Sequence, residues 1–134
     1  MIGIVIVAHG GLAREYLAAV EHVVGKQTGV ITIATGPEDD RALKQTEICD
    51  AADAVDTGGG VVICTDIFGG SPSNLSLRAC SPSNRRILYG MNLPMLIKLA
   101  KSRSKSVPDA VEAALAAGRK YIDSHSVNTD LGNK

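Results

Sequence analysis

Among the three histidines of the 134-residue sequence, His9 is the one best placed to react. It follows an apolar run, Ile2 to Ala8, and precedes Gly10-Gly11, so it stands at a chain tip where backbone can crowd a ligand. A histidine there can also do no more than satisfy a strand end. Asp66 shifts that balance, because a carboxylate accepting a hydrogen bond from Nδ1 fixes the tautomer and leaves Nε2 unprotonated and nucleophilic. Taken alone, Asp66 would merely cap a turn. The stretch Phe68-Gly69-Gly70-Ser71-Pro72-Ser73-Asn74 adds a third element: two glycines that admit close backbone approach, then a helix start whose free N–H groups face an anion. By themselves these residues describe an ordinary capped loop. They match neither a Walker loop nor the dinucleotide fingerprint, which disfavours a Rossmann cofactor site. Nucleophilic imidazole, orienting carboxylate and anion cradle together point to phosphoryl transfer through a phosphohistidine, with no cofactor and no metal called for.

Positioning these residues requires strands that end at His9 and just before Asp66. Ile2 to Ala8 is a nearly continuous β-branched run, the pattern of a strand buried on both faces in a parallel sheet. Leu12, Tyr16, Ala19, Val20, Val23 and Val24 then recur at helical spacing, with Gly25 as the C-terminal cap. Val30 to Thr35 repeats the strand pattern. Glu38, Asp39 and Asp40 suit the positive end of a second helix, whose apolar face is Ile48, Ala51, Ala52 and Val55. After Gly58-Gly59-Gly60, the third strand is Val61 to Cys64. Ser71 as N-cap and Pro72 at the first helical position open a third helix bearing Leu75 and Ala79.

Arg86 to Tyr89 reads as a short fourth strand, and Pro94 opens a helix with Met95, Leu96, Leu99 and Ala100 on one side. Ser106 and Asp109 resemble a capping box for a last helix carrying Val107, Ala110, Val111 and Ala114. Lys120 to Val127 is ambiguous and is compatible with a final strand. Alternating strands and helices imply right-handed crossovers and a three-layer α/β domain with a mainly parallel sheet over residues 1–134. In such sheets ligands sit beyond the carboxyl ends of the strands, where strand order reverses. A flavodoxin-like order of 2-1-3-4 places the ends of strands one and three, and so His9 and Asp66, side by side.

Composition removes other classes. Fourteen Lys plus Arg balance fourteen Asp plus Glu, so no net field draws the chain to nucleic acid or anionic lipid. Aromatic residues are only 3% and Trp is absent, which removes the stacking platforms of single-strand nucleic-acid binders. The apolar start lacks a basic leader and is interrupted by His9 before reaching spanning length, so no stable membrane insertion is expected. Cys49, Cys64 and Cys80 are odd in number and widely spaced, which argues for a reduced, cytoplasmic protein. His22, beside Glu21, and His125, between two serines, are not expected to take part in chemistry. Arg78, Arg85 and Arg86 form a basic cluster that is either a solvated face or a docking surface for an acidic partner.

Three blocks carry a resemblance over nearly the whole chain: His9-Gly10; Thr65-Asp66-Ile67-Phe68-Gly69-Gly70-Ser71-Pro72-Ser73-Asn74; and Gly90-Met91-Asn92-Leu93-Pro94-Met95-Leu96. In this order they resemble the mannose-family enzyme IIA domain of the bacterial phosphoenolpyruvate:sugar phosphotransferase system (PTS). The resemblance implies a phosphoryl carrier that accepts from the phosphocarrier HPr on His9 Nε2 and passes the group to an enzyme IIB component, for sugar uptake or regulation. It implies that Asp66 binds Nδ1, and that Gly69, Gly70 and Ser71, with Asn92 from the other loop, surround the phosphoryl oxygens. It also implies a homodimer in which a C-terminal antiparallel strand crosses to the partner; some relatives carry a fused IIB domain, and here any IIB partner is expected on a separate chain. Two other readings stay open: a phosphotransfer subunit of a dihydroxyacetone kinase system, and a noncovalent module binding a nucleotide or another anion.

Overall fold

The computed structural model describes residues 1–67, 71–76, 82 and 84–127, with the side chains of 71–73 left aside. Its sheet is built from four strands: β1 (Gly3–His9), β2 (Val30–Thr35), β3 (Val61–Thr65) and β4 (Arg85–Leu88). All neighbours pair in parallel, in the order β2-β1-β3-β4. The helices are α1 (Leu12–Val24), α2 (Arg41–Val55), α3 (Ser71–Ser76), α4 (Leu93–Lys101) and α5 (Val107–Lys120).

β1 is central, and its alternating side chains feed two separate cores. Ile4, Ile6 and Ala8 pack with Val20 of α1, Leu96 and Leu99 of α4 and Val111 of α5. Val5 and Val7 pack with Ile48, Ala51, Ala52 and Val55 of α2 and Leu75 of α3. Burial on both faces is why β1 carries aliphatic side chains at nearly every position. Its first residue has to be glycine, because a Cβ at Gly3 would collide with the Val55 carbonyl oxygen. At the same end, the buried Arg103 guanidinium donates to the carbonyls of Ile2 (2.7 Å) and Gly29 (3.1 Å), fastening the α4–α5 turn beneath the sheet.

The helix starts follow local chemistry. Asp40 caps α2 by accepting from the Leu43 N–H at 3.1 Å, and Ser106 caps α5 by accepting from the Asp109 N–H at 3.3 Å. Several boundaries depart from the sequence expectation by a residue. β1 runs one residue further, so His9 is itself the last strand residue. β4 begins at Arg85, because that arginine is buried and paired with Asp53 at 2.8 Å and Asp56 at 3.2 Å. The expected basic cluster is thereby corrected: Arg85 is an internal ion-pair residue, Arg86 is exposed, and Arg78 lies outside the described residues, as do Ala79 and Cys80. Finally, Lys120 belongs to α5, and residues 122–126 form neither helix nor strand within the single chain.

Candidate functional site

Because β1 and β3 are adjacent and parallel with Val7 opposite Thr65, their carboxyl ends meet, and the side chains just beyond that register face each other. Asp66 Oδ2 accepts from His9 Nδ1 at 2.8 Å and also from the His9 backbone N–H at 2.9 Å. Its other oxygen, Oδ1, accepts from the Ile67 N–H at 2.9 Å. One carboxylate therefore fixes both the main chain and the ring of His9. An ionised carboxylate only accepts, so the proton of the neutral ring lies on Nδ1 and the lone pair on Nε2.

The two side chains differ in environment in the way this task requires. Asp66 is 12% exposed while the His9 ring is 51% exposed, so the orienting group is sheltered and the reactive one is open. Burial alone would raise the Asp66 carboxyl, but the hydrogen bonds from His9 and Ile67, with the attraction of a charged His9 ring, hold it below the ordinary carboxylate value. Asp66 thus stays anionic opposite Nδ1.

His9 continues the alternation of Val5 and Val7, which places it on the α2–α3 side of the sheet. α3 begins at Ser71 and packs against β1 and β3 on that side. Phe68, Gly69 and Gly70 lie outside the described residues, as does the Ser71 side chain, so of the expected anion cradle only the helix start is placed. Asn92 has structural partners. Its Oδ1 caps α4 by accepting from the Met95 N–H at 3.0 Å, and its Nδ2 donates to the Gly118 carbonyl at 2.8 Å. That amide joins α4 to α5. The neighbouring loop is held to the site by its backbone, with the Met91 N–H donating to the Thr65 carbonyl at 3.1 Å. His22 and His125 are exposed.

Sequence reasoning overlooked one residue that the structure brings to His9. Thr35, at the end of β2, lies opposite His9 in the sheet register and contacts the main chain on both sides of it. The available signal was the strand order itself, which places the tip of the second strand against the first. Among the described residues, no cluster of three or more His, Cys, Asp or Glu can hold a metal ion, and no helix is long and apolar enough to cross a membrane.

A doubly wound α/β domain of order 2-1-3-4, with a strand-tip histidine clamped by the carboxylate of the next strand, defines a narrow class. Residues 3–116 match the family model EIIA-man, described as the PTS system fructose IIA component, and the chain belongs to this family. The mannose-specific EIIAB component of Escherichia coli (strain K12) is 30% identical over 124 residues, covering 90% of this chain and 38% of that protein. The chain thus spans well under half the length of such curated relatives. Among solved structures, phosphotransferase system component EIIA from Streptococcus agalactiae superposes with a TM-score of 0.83 at 26% identity, covering 92% of this chain and 97% of that one. The PTS IIA protein associated with the fucose utilization operon of Streptococcus pneumoniae gives 0.76 at 27% identity, covering 96% and 95%.

Proposed function

We propose that this chain is a phosphoryl carrier that takes a phosphoryl group from HPr onto His9 Nε2 and delivers it to an enzyme IIB component of a sugar-uptake system. The observation that carries the reading is the 2.8 Å hydrogen bond from Nδ1 of an exposed imidazole to a sheltered carboxylate. In the transfer, the Nε2 lone pair of His9 attacks phosphorus in line with the donor nitrogen. The new N–P bond forms as the donor's N–P bond breaks, and the donor imidazole leaves with the electron pair. The Nδ1 proton stays on the ring. Asp66 offsets the positive charge that grows there, much as an aspartate orients the histidine of a hydrolase triad without taking its proton. Gly69, Gly70 and Ser71 would supply N–H and hydroxyl donors to the phosphoryl oxygens at the start of α3. Asn92, engaged in capping, would support the site through the scaffold. The same balance runs in reverse toward the acceptor.

Dimerisation belongs to the same reading. The outer side of β4 is a sheet edge, and beside it runs a groove of about 380 Å³ lined by residues that include Ile87, Tyr89, Val111 and Leu115. A C-terminal strand from a second copy would fit that edge.

The test is intact mass after incubation with phosphoenolpyruvate, enzyme I and HPr. The expected result is an acid-labile gain of one phosphoryl group that His9→Ala abolishes and Asp66→Asn slows by about 100-fold or more, since an amide can turn its N–H toward Nδ1 and favour the wrong tautomer. Ser71→Ala should have a milder effect, because neighbouring backbone N–H groups remain. Labelling of His9→Ala, or no labelling of the parent under active donor conditions, would refute the carrier. The second result would favour a noncovalent anion-binding module.

A further inference from the structure

Resting on the reading of His9 as phosphoryl acceptor, we infer that Thr35 is a positioning residue that fixes the backbone on both sides of that histidine. In the β1–β2 register Thr35 is the partner of His9. Its Oγ1–H donates to the carbonyl of Ala8, the residue before His9, at 3.3 Å. Its own carbonyl accepts from the N–H of Gly10, the residue after, at 2.9 Å. The side chain is 3% exposed, on the same face of β2 as buried Ile33.

These bonds matter because the chain bends at this point. Gly10 has φ of 57°, a left-handed conformation that glycine adopts freely and that gives the turn no stiffness of its own. Asp66 restrains His9 from the β3 side through the amide N–H and the ring. From the β2 side, the ladder that pairs Ala8 with Ala34 and His9 with Thr35 is supplemented by the Thr35 hydroxyl on the Ala8 carbonyl and by the Thr35 carbonyl on the Gly10 N–H. The histidine is therefore held between two neighbouring strands, one fixing its ring and the other fixing the peptides that carry it.

Thr35 can serve as a reference only if it is itself immobile, and α2 supplies that. Lys44 Nζ donates to the Ala34 carbonyl at 2.9 Å and pairs with Glu47 Oε1 at 2.8 Å. Asp39 Oδ2 accepts from the Gly36 N–H at 2.7 Å. The residues on either side of Thr35 are thus tied to α2 and the loop before it, and the Thr35 hydroxyl and carbonyl add to the β1–β2 ladder in passing that fixed point to the peptides around His9. Phosphoryl transfer depends on in-line placement of Nε2, where small displacements slow the reaction with little change in encounter.

The experiment compares parent, Thr35→Val and Thr35→Ser by rapid-quench phosphorylation with phosphorylated HPr, alongside thermal unfolding. Valine keeps the shape and removes the donor, whereas serine keeps the donor and removes a methyl group. Expected for Thr35→Val is a kcat reduced by about 3- to 10-fold with KM for phosphorylated HPr within about twofold of the parent, and for Thr35→Ser a kcat close to the parent. A parent kcat in Thr35→Val overturns the inference. So does equal slowing of both variants in step with a lowered melting temperature, which would make Thr35 a packing residue. A parent that accepts no phosphoryl group, or a His9→Ala variant that does, instead overturns the carrier reading on which the inference rests.

Discussion

Asp66 makes its contribution as an anion, so its effect has a defined pH dependence. Its folded-state pKa lies below the ordinary 3.8, because hydrogen bonds from His9 and Ile67 outweigh the upward push of burial. A group depressed in the folded state adds stability that is fully present above its unfolded pKa and is lost as pH falls through the folded value. Asp66→Asn should therefore be less stable than the parent near neutrality by about 1–2 kcal/mol, the worth of hydrogen bonds to a charged acceptor weakened rather than abolished. Below about pH 4 the two proteins should converge as the parent carboxyl takes up its proton. Urea unfolding from pH 7 downward measures this, and a stability gap that stays constant into acid would mean that Asp66 acts through shape alone. The pairing of His9 with Asp66 was legible in the sequence from strand order. Its second half, the bond to the His9 backbone N–H, was not, because it depends on how far β1 extends past Ala8 and hence on the register with β3.

At the scale of elements, Asn92 offers a test of scaffold against chemistry. Its amide caps α4 and also ties that helix to the Gly118 carbonyl, at a crossing so close that a Cβ on Gly118 would stand 3.0 Å from Met95 Cβ. Asn92→Ala removes a cap worth about 1 kcal/mol and a cross-helix bond of similar size. The melting temperature should fall by roughly 5 °C, while the rate of phosphoryl acceptance at a temperature where the variant is folded stays within about threefold of the parent. A loss of acceptance comparable to that of Asp66→Asn would instead place the Asn92 amide on the phosphoryl group. The same residue shows where sequence reading runs out. Elements with strong periodicity, such as α1 from Leu12 to Val24 and β2 from Val30 to Thr35, were readable to the residue because burial on a helix stripe or on both strand faces leaves a pattern. Side chains that bond across elements leave none. Nothing in the sequence announced that Asn92 also bonds to Gly118, and Arg85 next to Arg86 looked like surface, until packing brought Asp53 and Asp56 to it.

For the molecule as a whole, the unresolved structural tension lies at one edge. β2 and β4 both end the sheet among the described residues, and the groove beside β4 is one that the chain's own tail already touches, through Ile122. Beyond α5, Tyr121, Ile122 and Val127 are 65%, 73% and 70% exposed, three large apolar side chains in seven residues of a single subunit. Burying each would contribute about 1.5–3 kcal/mol, which is large beside the net stability of a domain this size. Asp123, Ser124, His125 and Ser126 between them leave polar residues on both faces of such a strand, which suits an edge strand of an enlarged sheet better than a buried one. Exchange of that segment between two copies would use the same surface on each, closing a two-fold dimer and removing both β4 edges at once. Full-length protein should have the light-scattering mass of a dimer, and deleting residues 121–134 should yield a folded protein with the helical signal of α1 to α5 and the mass of a monomer. Because bare edges can aggregate, Ile122→Asp in the full chain provides the second measurement and should weaken the dimer by about 10-fold or more, as expected for an apolar anchor replaced by a charge. A truncated protein that remains a dimer with undiminished affinity would move the interface to another face of the molecule.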